Sequence, residues 1–419
     1  MVAVVTAGRK PADSQVRGPD RPWAVRARRV LDASASTWLE GVVVICQGDR
    51  ILEVTRSAPT GVPVSDLGER SLLPGLIDTH THIFLQGNHD QQEYATQILA
   101  EDPAHRVARA VRALGIALRH GFTTLRDLGT EGAGFGDVAL RAAVEEGVVA
   151  GPRLQAAGPA IGATHAYPIS NYRDDWSFPV GVAECDGAEG CRREVRRQIA
   201  RGVDWIKVYA TAGSRMGLDP AGYPDSPPPW TQVELNTIVE TAHEQGVRVA
   251  AHAMAATGTD MAVAAGVDSV EHGNAIRPET AEAMAERGIY LVPTLLALRE
   301  QPRTSFENCR RAGVRVALGT DVGAFYWDEH NQARELELLV GLGLTPAEAV
   351  RSATVVAAEM LGLSGEVGEI GPGRCADLIA CPGDPLSDVA LLQQVDVVIR
   401  AGRLVTTVDR QPSGPVAVG

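Results

Sequence analysis

The chain has 419 residues, 45% hydrophobic and 22% charged, with a net charge of −13. That balance fits a globular chain with a sizeable core, long enough for one large α/β barrel-type domain and a smaller companion. It argues against a sequence-independent nucleic-acid binder, which needs a basic footprint. No run approaches the ~18 apolar residues of a membrane span, and the N-terminus has no signal-peptide core, so a cytoplasmic setting with no membrane or nucleic-acid partner is expected. The six cysteines, Cys46, Cys185, Cys191, Cys309, Cys375 and Cys381, show no C-x-x-C spacing and read as reduced thiols. Cys185 and Cys191 share one expected loop and could bridge.

In chain order, residues 1–21 are polar and rich in Arg, Pro and Asp, the composition of a flexible segment. Short β-like runs follow at Ala24–Ala27, Gly41–Cys46 and Arg50–Val54, divided by Gly and Asp turn signals. Similar runs return at Ala376–Ala380 and Val395–Val405. Two β-rich flanks predict a small β-sandwich domain built from both chain ends, residues 22–73 and 372–410, with 411–419 as a loose tail.

The middle, residues 74–371, alternates short apolar strands with helical patterns, the signature of βα units on a parallel sheet. Candidate strands are Gly75–Asp78, Phe122–Asp127, Arg153–Ala160, Trp205–Tyr209, Val247–Ala251, Ser269–Glu271, Tyr290–Pro293 and Val316–Gly319. Helical patterns lie at Ala104–His120, Ala139–Glu146, Arg192–Arg201, Gln232–Gln245, Thr257–Ala265 and Pro278–Arg287, several followed by a glycine stop. Eight strands with intervening helices is the count of a (β/α)8 TIM barrel, whose chemistry sits at the C-terminal ends of the strands. Pro227-Pro228-Pro229-Trp230 reads as a stiff loop or pocket wall feeding Thr231, whose spacing to Glu234 predicts a capping box.

The first strand leads into Asp78-Thr79-His80-Thr81-His82. Side chains alternate along a strand, so His80 and His82 face the same way, close enough to share an ion. Four more residues with ligand chemistry fall at predicted strand ends: Lys207, His252, His272 and Asp321. Singly, each has a plain reading, a packed histidine or a helix N-cap aspartate. Six at the one rim where a barrel places its chemistry point to a metal centre. Lys207 is the odd member, since its ammonium repels a cation and is costly to bury charged. Burial lowers the pKa, and the neutral amine could take up carbon dioxide as a carbamate able to bridge two ions; alternatively it pairs with a carboxylate. Arg126 and Asp127 are expected to form a structural pair, and His89, His105, His120, His243 and His330 to be surface or core residues.

Pro74-Gly75-Leu76-Ile77-Asp78-x-His80-x-His82, Lys207, Ala251-His252-Ala253, Glu271-His272-Gly273 and Gly319-Thr320-Asp321 together resemble the amidohydrolase superfamily, as do Leu344–Ala349 and Gly368–Leu378. Gly121–Asp127, Gly151–Leu154 and Val292–Leu295 look like its imidazolonepropionase-like branch, which includes Xaa-Pro dipeptidases and ochratoxin-type amidases. Asn331–Leu338 is similar to the Asn-x-x-Arg-Glu-Leu segment of the ochratoxin-hydrolase side. The resemblance implies a binuclear centre, usually Zn2+, with His80 and His82 on one ion, His252 and His272 on the other, carboxylated Lys207 bridging and Asp321 beside the first; it also suggests a homo-oligomer.

Two ions sharing a solvent molecule lower its pKa towards neutrality, and the hydroxide attacks a polarised carbonyl. Asp321 then serves as general base and acid. The expected reaction is hydrolysis of a C–N amide bond in a small dipeptide-like (Xaa-Pro) or N-acyl-amino-acid (ochratoxin-like) substrate, with His165 and Tyr209 as substrate contacts. A cyclic amide, lactone, carbamate or organophosphate hydrolase is the alternative, and a non-catalytic assembly protein a remoter one. The chain departs from the family pattern at Gly162–Tyr167, at Tyr209–Gly213 and in a short stretch between Leu295 and Phe306, all on the pocket side.

Overall fold

The computed structural model describes residues 20–87, 90–166, 180–211, 216–298 and 302–405. Nearly all of the expected N-terminal segment, the C-terminal tail, His89, Tyr167, Ala212 and Gly213 lie outside the described residues.

The chain forms a mixed α/β fold. Leu76–Thr81, Phe122–Asp127 and Arg153–Ala156 pair in parallel as one three-stranded sheet. A second parallel sheet has the order Ala183–Glu184, Ile161–Gly162, Trp205–Tyr209, Arg248–Ala253, Ser269–His272, Tyr290–Val292. Leu76–Thr81, Phe122–Asp127, Trp205–Tyr209 and Ser269–His272 are buried at every residue, as strands covered on both faces must be. Helices follow strands at Pro103–Arg119, Gly136–Glu145, Gly187–Ala200, Gln232–His243, Ala256–Ala265 and Pro278–Arg287, close to the predicted spans. The Thr231–Glu234 capping box opens the fourth of these.

Two predicted strands change. Arg153–Ala160 ends at Ala156, because Gly158 turns at φ +69° before the chain resumes as Ile161–Gly162. Val316–Gly319 forms no strand, only a parallel bridge from Val316 to Leu291, with Val322 bridging Thr81 further on. Backbone bonds still join the segment to both neighbours, Ala317 N–H to Leu291 and Thr79 N–H to Leu318. The Leu318 N–H, however, donates to Ser352 and the Ile77 N–H to Ala353, which diverts the bonds a continuous ladder would need, and Asp321 then turns at φ +58°. Helices Gln91–Leu99, Arg303–Ala312, Arg334–Gly341, Pro346–Ser352 and Val355–Met360 were not among the predicted ones.

The chain ends form two further sheets. One contains Trp23–Arg26, Val43–Gln47, Arg50–Thr55 and Val64–Asp66; the other joins Arg29–Asp32, Thr37–Glu40 and Ser71–Pro74 to Leu378–Cys381, Val397–Arg400 and Arg403–Leu404. One apolar cluster, including Val25, Val44, Ile51, Leu72 and Leu378, draws on both. All six cysteines are free and buried; Cys185 Sγ lies 3.4 Å from Cys191 Sγ. Among the described residues no helix is long and apolar enough to cross a membrane.

Candidate metal centre

Alternation along Leu76–Thr81 puts Asp78, His80 and His82 on one face, and each finds a different partner. Asp78 accepts the Thr320 hydroxyl at 2.6 Å and the Gln332 amide at 2.7 Å, tying the strand to Gly319-Thr320-Asp321. His80 Nδ1 faces the Glu271 carboxylate at 2.8 Å, and His82 Nδ1 donates to the Gly129 carbonyl at 2.9 Å. Both acceptors hold the proton on Nδ1 and leave the Nε2 lone pair for an ion. The two Nε2 atoms lie 3.5 and 3.2 Å from Asp321 Oδ1.

His272, at the end of Ser269–His272, has φ +68°, so that it and its neighbour Glu271 both serve the site although consecutive strand residues face opposite ways. Its Nδ1 is 2.8 Å from Thr294 Oγ1 and its ring centroid 5.1 Å from that of His80. The His252 ring stands 4.5 Å from that of His272 and 4.9 Å from that of Tyr209. Glu131, His165, His272, Thr294 and Asp321 all adopt positive φ, the strained backbone that functional sites accumulate.

Burial lowers the Lys207 ammonium pKa to about 8 and that of His272 to about 3. Burial alone raises the Asp321 carboxyl, but His80, His82 and His272 outweigh it and hold the group well below the ordinary carboxylate range. Burial likewise keeps His80 and His252 unprotonated, whereas at His82 the adjacent Asp321 carboxylate overcomes burial and raises the imidazole to about 9. His80, His82 and Asp321 bring ligand atoms within 4.8 Å of one another, and the buried His80 Nε2 has no hydrogen-bond partner, so the donor set fits a divalent cation.

One cavity is lined by His80, His82, Lys207, Tyr209, His252, His272 and Asp321 together with Glu131, Met254 and Leu298. His165 is not among its lining residues: it is exposed, with its backbone N–H on Glu184. Arg126 does not pair with Asp127. It donates to Glu271 at 2.9 Å, while Asp127 accepts the Ile83 N–H at 2.7 Å, since neighbours on a strand project to opposite sides. Glu271 and Glu131 escaped the sequence reading; Glu271 stands inside the Glu-His-Gly motif, whereas nothing around Glu131 singles it out.

Converging buried imidazoles and a carboxylate beyond parallel strands define a metal-binding α/β enzyme of hydrolytic type. Residues 71–405 match the amidohydrolase family. The chain belongs to that family, and it is a metal-dependent hydrolase acting on C–N bonds. Ochratoxinase of Aspergillus niger is 32% identical over 362 residues, covering 77% of this chain and 72% of that protein. Imidazolonepropionase of Deinococcus radiodurans is 28% identical over 394 residues, covering 89% and 91%. A crystal structure of a Xaa-Pro dipeptidase with methionine bound in its active site is similar at a TM-score of 0.81 and 28% identity, over 92% of this chain and 100% of that one.

Proposed function

We propose that the chain is a binuclear amidohydrolase that cleaves the amide bond of a small dipeptide-like (Xaa-Pro) or N-acyl-amino-acid substrate, and that it works as a cytoplasmic homo-oligomer. The observation that carries this reading is the convergence of Lys207, His252 and His272 with the His80, His82 and Asp321 donors on one cavity. Similarity to a dipeptidase and to ochratoxinase supports the substrate class. In this reading the two parallel sheets, linked by the Leu291–Val316 and Thr81–Val322 bridges, are arcs of one (β/α)8 barrel over residues 74–371. The two end sheets with their shared apolar cluster are the small β-sandwich of residues 22–73 and 372–410.

His80 and His82 would hold one ion and His252 and His272 a second, most simply zinc, and Lys207, once its desolvated amine had added carbon dioxide and lost a proton, would supply an anionic oxygen ligand. Bound divalent ions supply Lewis acidity, which makes water acidic and carbonyls electrophilic near neutral pH. Asp321, aimed at both Nε2 atoms and kept ionised by the surrounding imidazoles, takes the proton from the attacking water and delivers it to the leaving nitrogen. Glu271 and Gly129 fix the tautomers of His80 and His82, and Tyr209 contacts the substrate from the cavity wall. His165, outside that lining, is a contact only for the part of a substrate that extends beyond it.

The test combines elemental analysis with hydrolysis of Xaa-Pro, N-acyl-amino-acid and ochratoxin-like amides by the wild type and Asp321→Asn. The expected outcome is about two ions per chain in both proteins and a fall in kcat of about 10²–10⁴ in the variant. Turnover of lactones or phosphoesters in place of amides would move the reading to the alternative chemistry, and metal-free, inactive protein would refute it.

A further inference from the structure

The cavity contains a charge that the metal centre does not use. Glu131, just beyond the Phe122–Asp127 strand, is 1% exposed and lines the cavity. Its Oε2 accepts the Tyr94 hydroxyl, and its Oε1 accepts that of Tyr209 at 3.0 Å. Neither donor is a cation. Among the described residues no lysine or arginine forms an ion pair with it, and the imidazole nearest to it, His82 with Nδ1 at 3.9 Å, spends that proton on the Gly129 carbonyl. The backbone at Glu131 sits at φ +48°, a left-handed conformation that a side chain adopts only at a cost. A carboxylate withdrawn from water wants a cation, and two of its roughly four lone-pair directions remain unused by the tyrosines. Arg106, Lys207 and His82 act on this carboxylate only from 3.9 Å or further and none fills its two open positions, so an ammonium entering the cavity meets a preformed acceptor.

We propose that Glu131 is the specificity-determining residue for a substrate ammonium group, so that the preferred substrates are unblocked dipeptides, with a free α-amino group beside the scissile carbonyl, rather than N-acyl amino acids. This rests on the amide-hydrolase reading and narrows it. The geometry suits it: Asp321 lies against one nitrogen of the His82 ring and Glu131 beside the other. One imidazole thus stands between the carboxylate that moves the proton and the one that receives the ammonium. Tyr209, shared between Glu131 and the His252 ring, couples the two ends of that subsite.

Two pairs of compounds test the proposal on the metal-loaded protein. 1-Aminoethylphosphonate and ethylphosphonate differ only in the ammonium, and their binding is read by calorimetry without turnover. Alanyl-proline and propionyl-proline form the matching hydrolysis pair, read as kcat/KM. Wild type is expected to favour the amino member of each pair by about 10- to 100-fold, the range of a charge-assisted hydrogen bond. Glu131→Gln should bring both ratios to within about threefold of unity, whereas Tyr94→Phe, which keeps the carboxylate, should preserve them. Equal binding of the two phosphonates by wild type, or collapse of the ratio in Tyr94→Phe as fully as in Glu131→Gln, overturns the proposal. An intact phosphonate preference without cleavage of either amide would instead sustain the ammonium subsite and refute amide hydrolysis.

Discussion

Replacing Glu271 by Gln separates structural from metal-binding contributions, because one buried carboxylate serves both. Glu271 is fully buried, with Oε1 2.9 Å from Arg126 and Oε2 2.8 Å from His80 Nδ1. The substitution keeps the shape but removes the anion, stranding a guanidinium that is itself fully buried. Breaking a buried pair on one side costs about 3–5 kcal/mol. At about 2.1 cal/mol/K per residue over 419 residues, that lowers the thermal midpoint of the metal-free protein by roughly 3–6 °C. The same change loosens the tautomer and orientation of His80, for which a loss of about 10- to 100-fold in metal affinity is expected. The double variant Arg126→Met/Glu271→Gln removes the stranded charge and should regain most of the thermal loss while leaving the affinity loss in place. Differential scanning calorimetry on metal-free protein and metal titration provide the two readouts. Unchanged metal affinity in Glu271→Gln, or a double variant as unstable as the single one, would refute the reasoning.

Gly319→Ala places a Cβ 2.4 Å from Val292 Cγ1 and 2.8 Å from His80 Cβ, so it should cost about 1–3 kcal/mol and reduce metal content, measured by thermal unfolding and elemental analysis. His120 gives the pH dependence: burial lowers its pKa from 6.5 to about 4, so the unfolded chain binds the extra proton between those values. Its contribution is complete above pH 6.5 and is lost as the pH falls towards 4, on the order of 1–3 kcal/mol. His120→Gln should flatten the stability profile of metal-free protein across that window; an unchanged slope would assign the acid sensitivity elsewhere.

Much of this architecture was legible because strands covered on both faces are continuous apolar runs. Trp205–Tyr209 and Pro278–Arg287 fall where hydrophobic pattern and glycine stops place them. The His80–His82 pair was readable from a period of two alone, and the capping box at Thr231 from a spacing of three. The segment before Asp321 was not, since an apolar run ahead of Gly-Thr-Asp reads as strand while its ladder bonds are diverted to Ser352 and Ala353, more than thirty residues further along the chain. Glu271 was hidden for another reason: its partners Arg126 and His80 are 145 and 191 residues away, a distance no local pattern spans. The expected Arg126–Asp127 pair failed on the same alternation that made the histidine pair legible.

The same strand connects the end sheets to the chemistry. Ser71–Pro74 pairs with Leu378–Cys381, and one residue later the chain enters Leu76–Thr81. The Gly75 N–H is held by the Asp377 carbonyl at 2.9 Å, and Leu76 by Gly121 at 3.0 Å, so the strand's register is set before His80 is reached. Asp78 then fixes that register against Thr320 and Gln332. A one-residue slip would turn His80 and His82 to the opposite face together. The end sheets hold no donor of the proposed centre, yet by clamping the entry to this strand they determine which way its two histidines point.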